Sequence, residues 1–356
     1  MKRFFALTLA LCMLLCACGK QPEETTADTK PEGTEQTTEP VVEATTDGKI
    51  RHPLNGMPLE TPYTGRPTAV VISNDSAALP QHGISQADMI FEAATEGGIT
   101  RLLAIFSDVG SVEGKIGPIR SARSFFNSIS LSLDAPIMHC GGSQWGINGY
   151  LDDTTKIENW DHINQQYNGA YFYRDPERSN YLDWLNLFTK GEMLQQGLED
   201  KEYVPDGQTQ VSYGYQFDEN VKLEGESATK VTMNFSGSHT TSFVYDEATG
   251  LYSASQYGHD HVDGNTNKPM TYANVISLNT KQWGVFDGTY TRSFYQLIGE
   301  GRGHFATGGK IVPIKWSRAD AESPFVFTFE DGTPITLCVG TTYVGVAADT
   351  VSMSYE

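Results

Sequence analysis

The chain has 356 residues, and its 44 Asp and Glu side chains outnumber its 25 Lys and Arg side chains, which gives a formal net charge of −19. A protein with this charge is repelled by nucleic acids and by anionic lipid headgroups, so the composition argues against general nucleic-acid binding. Any affinity for a membrane must therefore come from something other than a basic patch.

The first residues have the pattern of a bacterial lipoprotein signal peptide. Lys2 and Arg3 form a short basic segment, and Phe4–Leu15 is an apolar run that only Thr8 interrupts. A run of this length suits a signal-peptide core and is too short to span a bilayer of roughly 30 Å. It ends in a lipobox, Leu15-Cys16-Ala17-Cys18. We expect residues 1–17 to be removed and Cys18 to be acylated, an ordinary secretory signal being the alternative.

Residues 18–49 are predicted to be a disordered tether between the lipid anchor and the folded body. After Cys18 the segment holds eight Thr, eight Asp or Glu and three Pro, and it has no aromatic residue. This composition buries too little apolar surface to offset the conformational entropy lost on folding. As a flexible coil its ends would lie about 30 Å apart on average. The body is therefore expected on the extracytoplasmic face of the cell membrane, held clear of the headgroups.

Residues 50–205 mix strand and helix patterns and are predicted to form an α/β domain. Three apolar runs are typical of strands: Thr68–Ser73, Ala87–Ala94 and Thr100–Ser107. Apolar side chains spaced i, i+4 and i+8 predict a helix over residues 121–133: Phe125, Ile129 and Leu133.

A polar, turn-rich stretch over residues 201–222 precedes a second region, 223–352, which is predicted to be β-rich. Short apolar runs separated by Gly, Asn or Asp recur there and indicate strands: 231–235, 241–245, 251–254, 275–278, 291–297, 311–316 and 325–329. The predicted fold class is therefore α+β, with an N-terminal mixed α/β domain followed by a β-rich C-terminal domain.

Charged side chains are concentrated among apolar residues between positions 75 and 123. They are Asp75, Asp88, Glu92, Glu96, Arg101, Arg120 and Arg123. Two arginines three positions apart at the expected start of a helix favour a bound anion, because guanidinium groups and a helix N-terminus both attract negative charge. The alternative is a structural network in which the arginines pair with the carboxylates.

Several stretches resemble the YerB-like family of bacterial surface lipoproteins, which has no established reaction. The first half carries HPLNGMPLETPYTGRPTAVVISND, GISQADMIFEAATEGGITRLLAIFSD and GKIGPIRSARSFF, and the second half carries HVDGNTNKPMTYANVI and GGKIVPIKWSR. The resemblance implies a two-domain extracytoplasmic lipoprotein over residues 50 to 350. The family pattern has a His-Asn pair where this chain has Leu185-Asn186. Because this chain lacks the histidine of that pair, any catalytic role proposed for it in the family does not carry over.

A second likeness is to the LytR-CpsA-Psr phosphotransferases, which also place a strand, an acidic segment and an arginine-bearing segment in this order. That analogy would make Arg101, Arg120 and Arg123 phosphate clamps and Asp75 or Asp88 a metal ligand. Similar order of elements is only a fold-level argument. We therefore expect a non-catalytic protein that binds an anionic ligand or a cell-envelope partner, with an envelope enzyme acting on lipid-linked phosphate or cell-wall precursors as the alternative.

The remaining motifs indicate neither a cofactor nor a metal. Cys140 and Cys338 are expected to be free thiols, although they could pair. His259, His261 and Asp263 would share one face of a strand, as metal ligands can. The favoured interpretation of that Gly-flanked segment is a polar loop in which Asp263 caps a turn.

Overall fold

Short strands dominate the architecture. The computed structural model describes residues 48–142, 161–350 and 353–356, all of which belong to one compact unit. The predicted signal peptide, Cys18 and the tether up to residue 47 lie outside the described residues. The two described α-helices are α1, Ser124–Ser132, and α2, Gly191–Asp200.

The first half of the described chain contains ten strands. They are β1 Ile50–Arg51, β2 Pro58–Leu59, β3 Thr68–Asn74, β4 Met89–Ala94, β5 Thr100–Phe106, β6 Lys115–Ile116, β7 Ile137–His139, β8 His162–Asn164, β9 Tyr173–Arg174 and β10 Leu187–Lys190. The three predicted strands are β3, β4 and β5. The predicted helix is α1, which begins three residues later than expected because the residues before Ser124 run extended beside β3.

The second half contains sixteen strands. They are β11 Gln216–Asp218, β12 Glu226–Ser227, β13 Lys230–Ser236, β14 His239–Asp246, β15 Leu251–Gln256, β16 His259–Asp260, β17 Thr271–Tyr272, β18 Asn274–Thr280, β19 Gln282–Phe286, β20 Thr291–Tyr295, β21 Gly299–Thr307, β22 Lys310–Arg318, β23 Val326–Phe329, β24 Thr336–Cys338, β25 Thr342–Ala348 and β26 Met353–Tyr355. All seven predicted runs are strands, and the other nine strands were not predicted, among them the long strands β21 and β25.

One 11-stranded sheet contains strands from both halves of the chain. Its order is β12-β22-β21-β18-β25-β4-β5-β3-β7-β8, with β23 paired to β22. Strand β25, near the C-terminus, lies parallel to both β18 and β4. The structure is therefore mostly β, and the two segments that the sequence separates at 201–222 share this central sheet.

Side chains alternate between the two faces of the central sheet, as the pleat requires. One face, here called the sheet face, packs against a six-stranded sheet of order β16-β15-β14-β13-β26 with β17 on β15. Its side chains include Val70, Ile72, Leu102 and Ala104. The opposite face, here called the helix face, packs against α1 and the residue after it. The side chains of this second core include Phe125, Phe126, Ile129 and Leu133 from the helix segment and Ala69, Val71, Ala93, Leu103 and Ile105 from the sheet. Each face thus has a separate apolar core.

Candidate functional site

Arg101 is a buried arginine on the helix face of the central sheet. It lies on β5 between Ser73 of β3 and Ala93 of β4, and it is only 4% exposed. Its Nη1 donates a hydrogen bond of 2.6 Å to the carbonyl oxygen of Ser121. Its buried Nε has no hydrogen-bond partner, and neither does the buried hydroxyl of Ser73 beside it. Unsatisfied buried polar atoms are costly, so the Arg101 Nε and the Ser73 hydroxyl make this position the candidate site.

The segment from Gly117 to Arg123 brings two further arginines to the same end of the sheet. Ile119 forms a bridge with Ile72, and the backbone N–H of Arg120 donates to the carbonyl oxygen of Val71 at 2.8 Å. Helix α1 starts immediately after Arg123, whose backbone is extended and whose side chain does not cap the helix. The start of α1 therefore lies next to Arg123 in the chain, and the predicted anion site at this helix start stays a prediction.

Arg123 is neutralised by Glu96. Its Nε donates to Glu96 Oε1 and Oε2 at 2.8 and 3.1 Å, and its Nη2 donates to Oε2 at 2.6 Å. The two side chains are 7% and 12% exposed, and Arg292 Nη1 lies 3.6 Å from Glu96 Oε1. Burial alone would raise the pKa of Glu96, but the hydrogen bonds and charges of Arg123 and Arg101 hold it below its usual value. Arg123 is therefore paired with a carboxylate, which is the structural alternative that the sequence offered to anion binding.

Arg101 and Arg120 differ from Arg123 because neither forms an ion pair with a residue that the structure describes. The Nε of Arg120 is also buried without a hydrogen-bond partner. Burial first, and then the charges of Arg123 and Arg120, lower the pKa of Arg101 well below that of a free guanidinium. Burial and the charge of Arg123 likewise lower the pKa of Arg120. An anion between these groups would raise the pKa of both arginines, because its negative charge favours the protonated guanidinium.

Asp75 and Asp88, the alternative metal ligands of the phosphotransferase analogy, occupy opposite ends of the central strands. Asp75 follows β3 and caps the short turn after it, accepting from the backbone N–H of Ala77 at 2.9 Å. Asp88 precedes β4 and accepts from Asn55 Nδ2 at 2.5 Å and from the backbone N–H of Ser107 at 2.7 Å. The strand register places them about 20 Å apart, at roughly 3.3 Å per residue. They cannot serve one metal ion together.

Glu92 lies on the sheet face, away from the arginines, and is fully buried. Its carboxylate has five partners from both halves of the chain, at 2.5 to 2.9 Å: Asn74 Nδ2, Thr100 Oγ1, His239 Nε2, Thr241 Oγ1 and Tyr343 OH. Burial alone would raise the pKa of Glu92, but the charge of His239 and these hydrogen bonds hold it below its usual value. Glu92 therefore joins the central sheet to the six-stranded sheet and is not available to an anion site.

The His259, His261 and Asp263 segment has the capping structure that the sequence favoured. Asp263 is buried and accepts from the backbone N–H groups of Ser85 and Asn265, both at 2.8 Å. His261 is buried with Nε2 2.9 Å from Gln81 Oε1, while His259 is exposed. Within the described chain no group of three or more His, Cys, Asp or Glu side chains could hold a metal ion.

Cys140 and Cys338 are free and partly buried, as predicted. Burial raises the pKa of Cys140, against the charges of Arg174 and Arg120. Its Sγ donates to Gln165 Oε1 at 3.2 Å. The neighbouring His139 is buried, and burial lowers its pKa to about 4. Neither thiol nor imidazole is poised as a nucleophile or base.

Two residues of this region could not be found from the sequence. Arg292 of β20 contributes a fourth positive charge to the cluster, because its charge also lowers the pKa of Arg101. Trp184 places its indole ring 5.9 Å from the guanidinium carbon of Arg120. Both are brought to Arg101 and Arg120 by tertiary structure, and no local motif marks either of them.

Comparisons with known proteins extend over both halves of the chain. Residues 54–204 match the N-terminal domain, and residues 231–344 the C-terminal domain, of a family described as protein of unknown function DUF3048. A Bacillus subtilis (strain 168) protein named "Putative lipoprotein YerB" is 27% identical over 307 residues, which cover 85% of this chain and 87% of that protein. The crystal structure of YerB protein from Bacillus subtilis superposes with a TM-score of 0.71 at 26% identity, covering 86% of this chain and 100% of that chain.

Proposed function

The chain belongs to the two-domain DUF3048 family, the YerB-like family that the sequence indicated, and we propose that it is an extracytoplasmic lipoprotein that binds an anion. Arg101 and Arg120 would be the anion-binding residues, and Cys18 would carry the lipid. A phosphate or another compact oxyanion suits two guanidinium groups beside the start of a helix.

Membrane anchoring is supported by two independent observations. The Bacillus subtilis relative is named a putative lipoprotein, and this chain has a lipobox that ends at Cys18. Among the described residues, no helix is long and apolar enough to cross a membrane. Metabolic labelling with a palmitate analogue should mark the parent protein and the Cys16→Ser variant but leave Cys18→Ser unlabelled. Labelling of Cys18→Ser would contradict the assignment.

The observation that carries anion binding is the environment of Arg101. This guanidinium is 4% exposed, has an unpartnered Nε, and forms no ion pair with any described residue. Glu96, the carboxylate that interacts with it electrostatically, is already bound to Arg123. A buried charge without a counter-charge costs several kcal/mol, so such a group is retained where a ligand neutralises it.

The geometry favours binding over the phosphotransferase alternative. That reaction would need Asp75 or Asp88 beside the arginines to hold a metal ion. Asp88 is held by Asn55 and Ser107 at the far end of β4. Asp75 interacts electrostatically with Arg120, but its carboxylate caps its own turn, and among the described residues it belongs to no group of three or more side chains that could hold a metal ion. We therefore propose a binding protein whose ligand is an anion of the cell envelope.

The test is a titration of the full chain in a nonionic detergent with inorganic phosphate, followed by thermal unfolding and calorimetry. Saturating phosphate should stabilise the protein, by about 2.7 kcal/mol at one hundred times Kd. Arg120→Gln and Arg101→Gln should each weaken phosphate binding by tenfold or more. The control is Arg302→Gln, which removes the same charge from a side chain that is 77% exposed.

The variants also distinguish binding from misfolding. Arg101→Gln removes a buried charge that has no described counter-charge, so in phosphate-free buffer it should unfold at the same or a higher temperature than the parent. The anion site is excluded if phosphate stabilises neither the parent nor the control, or if Arg302→Gln weakens binding as much as Arg120→Gln does.

A further inference from the structure

Exposed apolar side chains lie beside the proposed anion site. Tyr181, Leu182 and Trp184 are 42%, 54% and 46% exposed within four positions of one another. Contiguous exposed apolar residues are a feature of surfaces that contact a ligand or a partner. Arg120 connects this group to the anion site, because its guanidinium lies over the Trp184 ring and interacts electrostatically with Arg101.

The backbone that carries these side chains is fixed by two arginines. Arg174 Nη1 donates to the carbonyl oxygen of Asp183, and to Asn186 Oδ1 at 2.8 Å. Arg178 Nη1 donates to the carbonyl oxygen of Ala78 at 2.8 Å, and its guanidinium lies 5.1 Å from the Tyr181 ring centroid. The apolar surface is therefore ordered before any ligand arrives, which lowers the entropy cost of binding.

We infer that the ligand is a phosphate ester of an apolar group, with its phosphate at Arg101 and Arg120 and its apolar part against Trp184 and Leu182. This inference rests on the proposed anion site. The charges complement each other, because neither Arg101 nor Arg120 forms an ion pair with a described residue and the phosphate would supply the negative charge. The exposed indole ring of Trp184 lies beside Arg120. It therefore offers an apolar surface next to the proposed phosphate position, where the apolar group of the ester would extend from the phosphate. Inorganic phosphate would contact only the two arginines and not the apolar side chains of Trp184 and Leu182.

The test compares four soluble probes on the full chain by calorimetry: inorganic phosphate, phenyl phosphate, hexyl phosphate and glucose 1-phosphate. Phenyl or hexyl phosphate should bind about tenfold tighter than inorganic phosphate, a gain of about 1.4 kcal/mol. The comparison of those two shows whether an aromatic ring or an alkyl chain is preferred. Glucose 1-phosphate should show no comparable gain, because its ring is polar.

Trp184→Ala should abolish the gain of the esters while leaving the affinity for inorganic phosphate within about twofold, and Trp184→Phe should restore most of the gain. The matched control is Phe286→Ala, which removes an aromatic ring that is 67% exposed on the β19–β20 hairpin. It should change neither affinity.

The outcomes separate the two proposals. If inorganic phosphate binds but the apolar esters bind no tighter, the inference about the ligand fails and the anion site stands. The inference also fails if glucose 1-phosphate binds tightest, or if Trp184→Ala retains the full gain of the esters. If none of the four probes binds, the proposed function itself fails.

Discussion

Glu92 on β4 and Arg101 on β5 lie on opposite faces of the central sheet, although their strands are neighbours. In the strand register Glu92 pairs with Leu102 and Arg101 pairs with Ala93, so the pleat directs the two side chains to different sides. Glu92 meets five hydrogen-bonding partners on its side, whereas Arg101 meets no described carboxylate within ion-pair distance. The sheet thus separates a carboxylate whose hydrogen bonds join two sheets from an arginine that forms no ion pair with a described residue.

Replacing Glu92 by Gln should lower the free energy of unfolding by about 3 kcal/mol. The amide has nearly the same shape, but its NH₂ group would face hydroxyl groups that now donate to the carboxylate, such as those of Thr241 and Tyr343. Urea denaturation at pH 7 measures the loss.

The control for that change is Glu330→Gln, whose carboxylate is 41% exposed in ion pairs with Arg302 and Lys315. An exposed substitution of this kind should change stability by no more than about 0.5 kcal/mol. Equal urea midpoints for Glu92→Gln and Glu330→Gln would show that the buried network does not hold the two sheets together.

Stability should fall as the pH is lowered from about 6.5 to about 4. Burial is the largest cause that lowers the pKa of each of three histidines to about 4, namely His82, His139 and His261. In the unfolded chain their pKa is about 6.5. Because the unfolded state then binds more protons, the contribution of these groups is complete above pH 6.5 and is lost as the pH approaches 4.

A single histidine can be removed to check this assignment. His261→Gln can keep a hydrogen bond to Gln81, and it should reduce the proton uptake on unfolding by about one near pH 5. The slope of unfolding free energy against pH gives that uptake. His259→Gln, on an exposed side chain, should leave the slope unchanged, and identical slopes for both variants would contradict the assignment.

The arginine segment could be predicted from the sequence because Arg120 and Arg123 lie next to the helix that they precede. What could not be predicted is which carboxylate each arginine meets. Glu92 and Glu96 are both close to Arg101 in sequence, yet only Glu96 is on the same side, since the faces follow from a strand register that the sequence does not reveal. Arg292 approaches from the second half of the chain and leaves no local signal.

The missed strand β21 has a physical explanation. Its first residues, Gly299 to Gly303, read GEGRG, and glycine has a low preference for strands. The strand nonetheless pairs on both sides, with β18 and β22. At Gly303 the neighbouring backbone comes so close that a Cβ would lie 1.9 Å from the carbonyl oxygen of Ser277. Glycine is present because the pairing leaves no room for a side chain.

Gly303→Ala should therefore lower the free energy of unfolding by about 3 kcal/mol or more, because β18 and β21 must separate to admit a methyl group. Chemical denaturation measures this loss. Gly237→Ala is the matched control, since no atom lies within 4 Å of the position its Cβ would occupy, and it should change stability by less than about 1 kcal/mol. Similar losses in both variants would refute the close approach.

Replacing Glu96 by Gln should tighten phosphate binding while it lowers stability. The change removes the negative charge and one of the two oxygens that together accept three hydrogen bonds from Arg123, and a buried guanidinium without its counter-charge costs about 3 kcal/mol. That guanidinium then adds to the positive field at Arg101 and Arg120, so the affinity for inorganic phosphate should rise on the order of tenfold. Calorimetry of Glu96→Gln beside Glu330→Gln, which removes an equal charge from an exposed site, separates the effects. A purely structural cluster would lose stability without gaining affinity, and that result would exclude a common anion site.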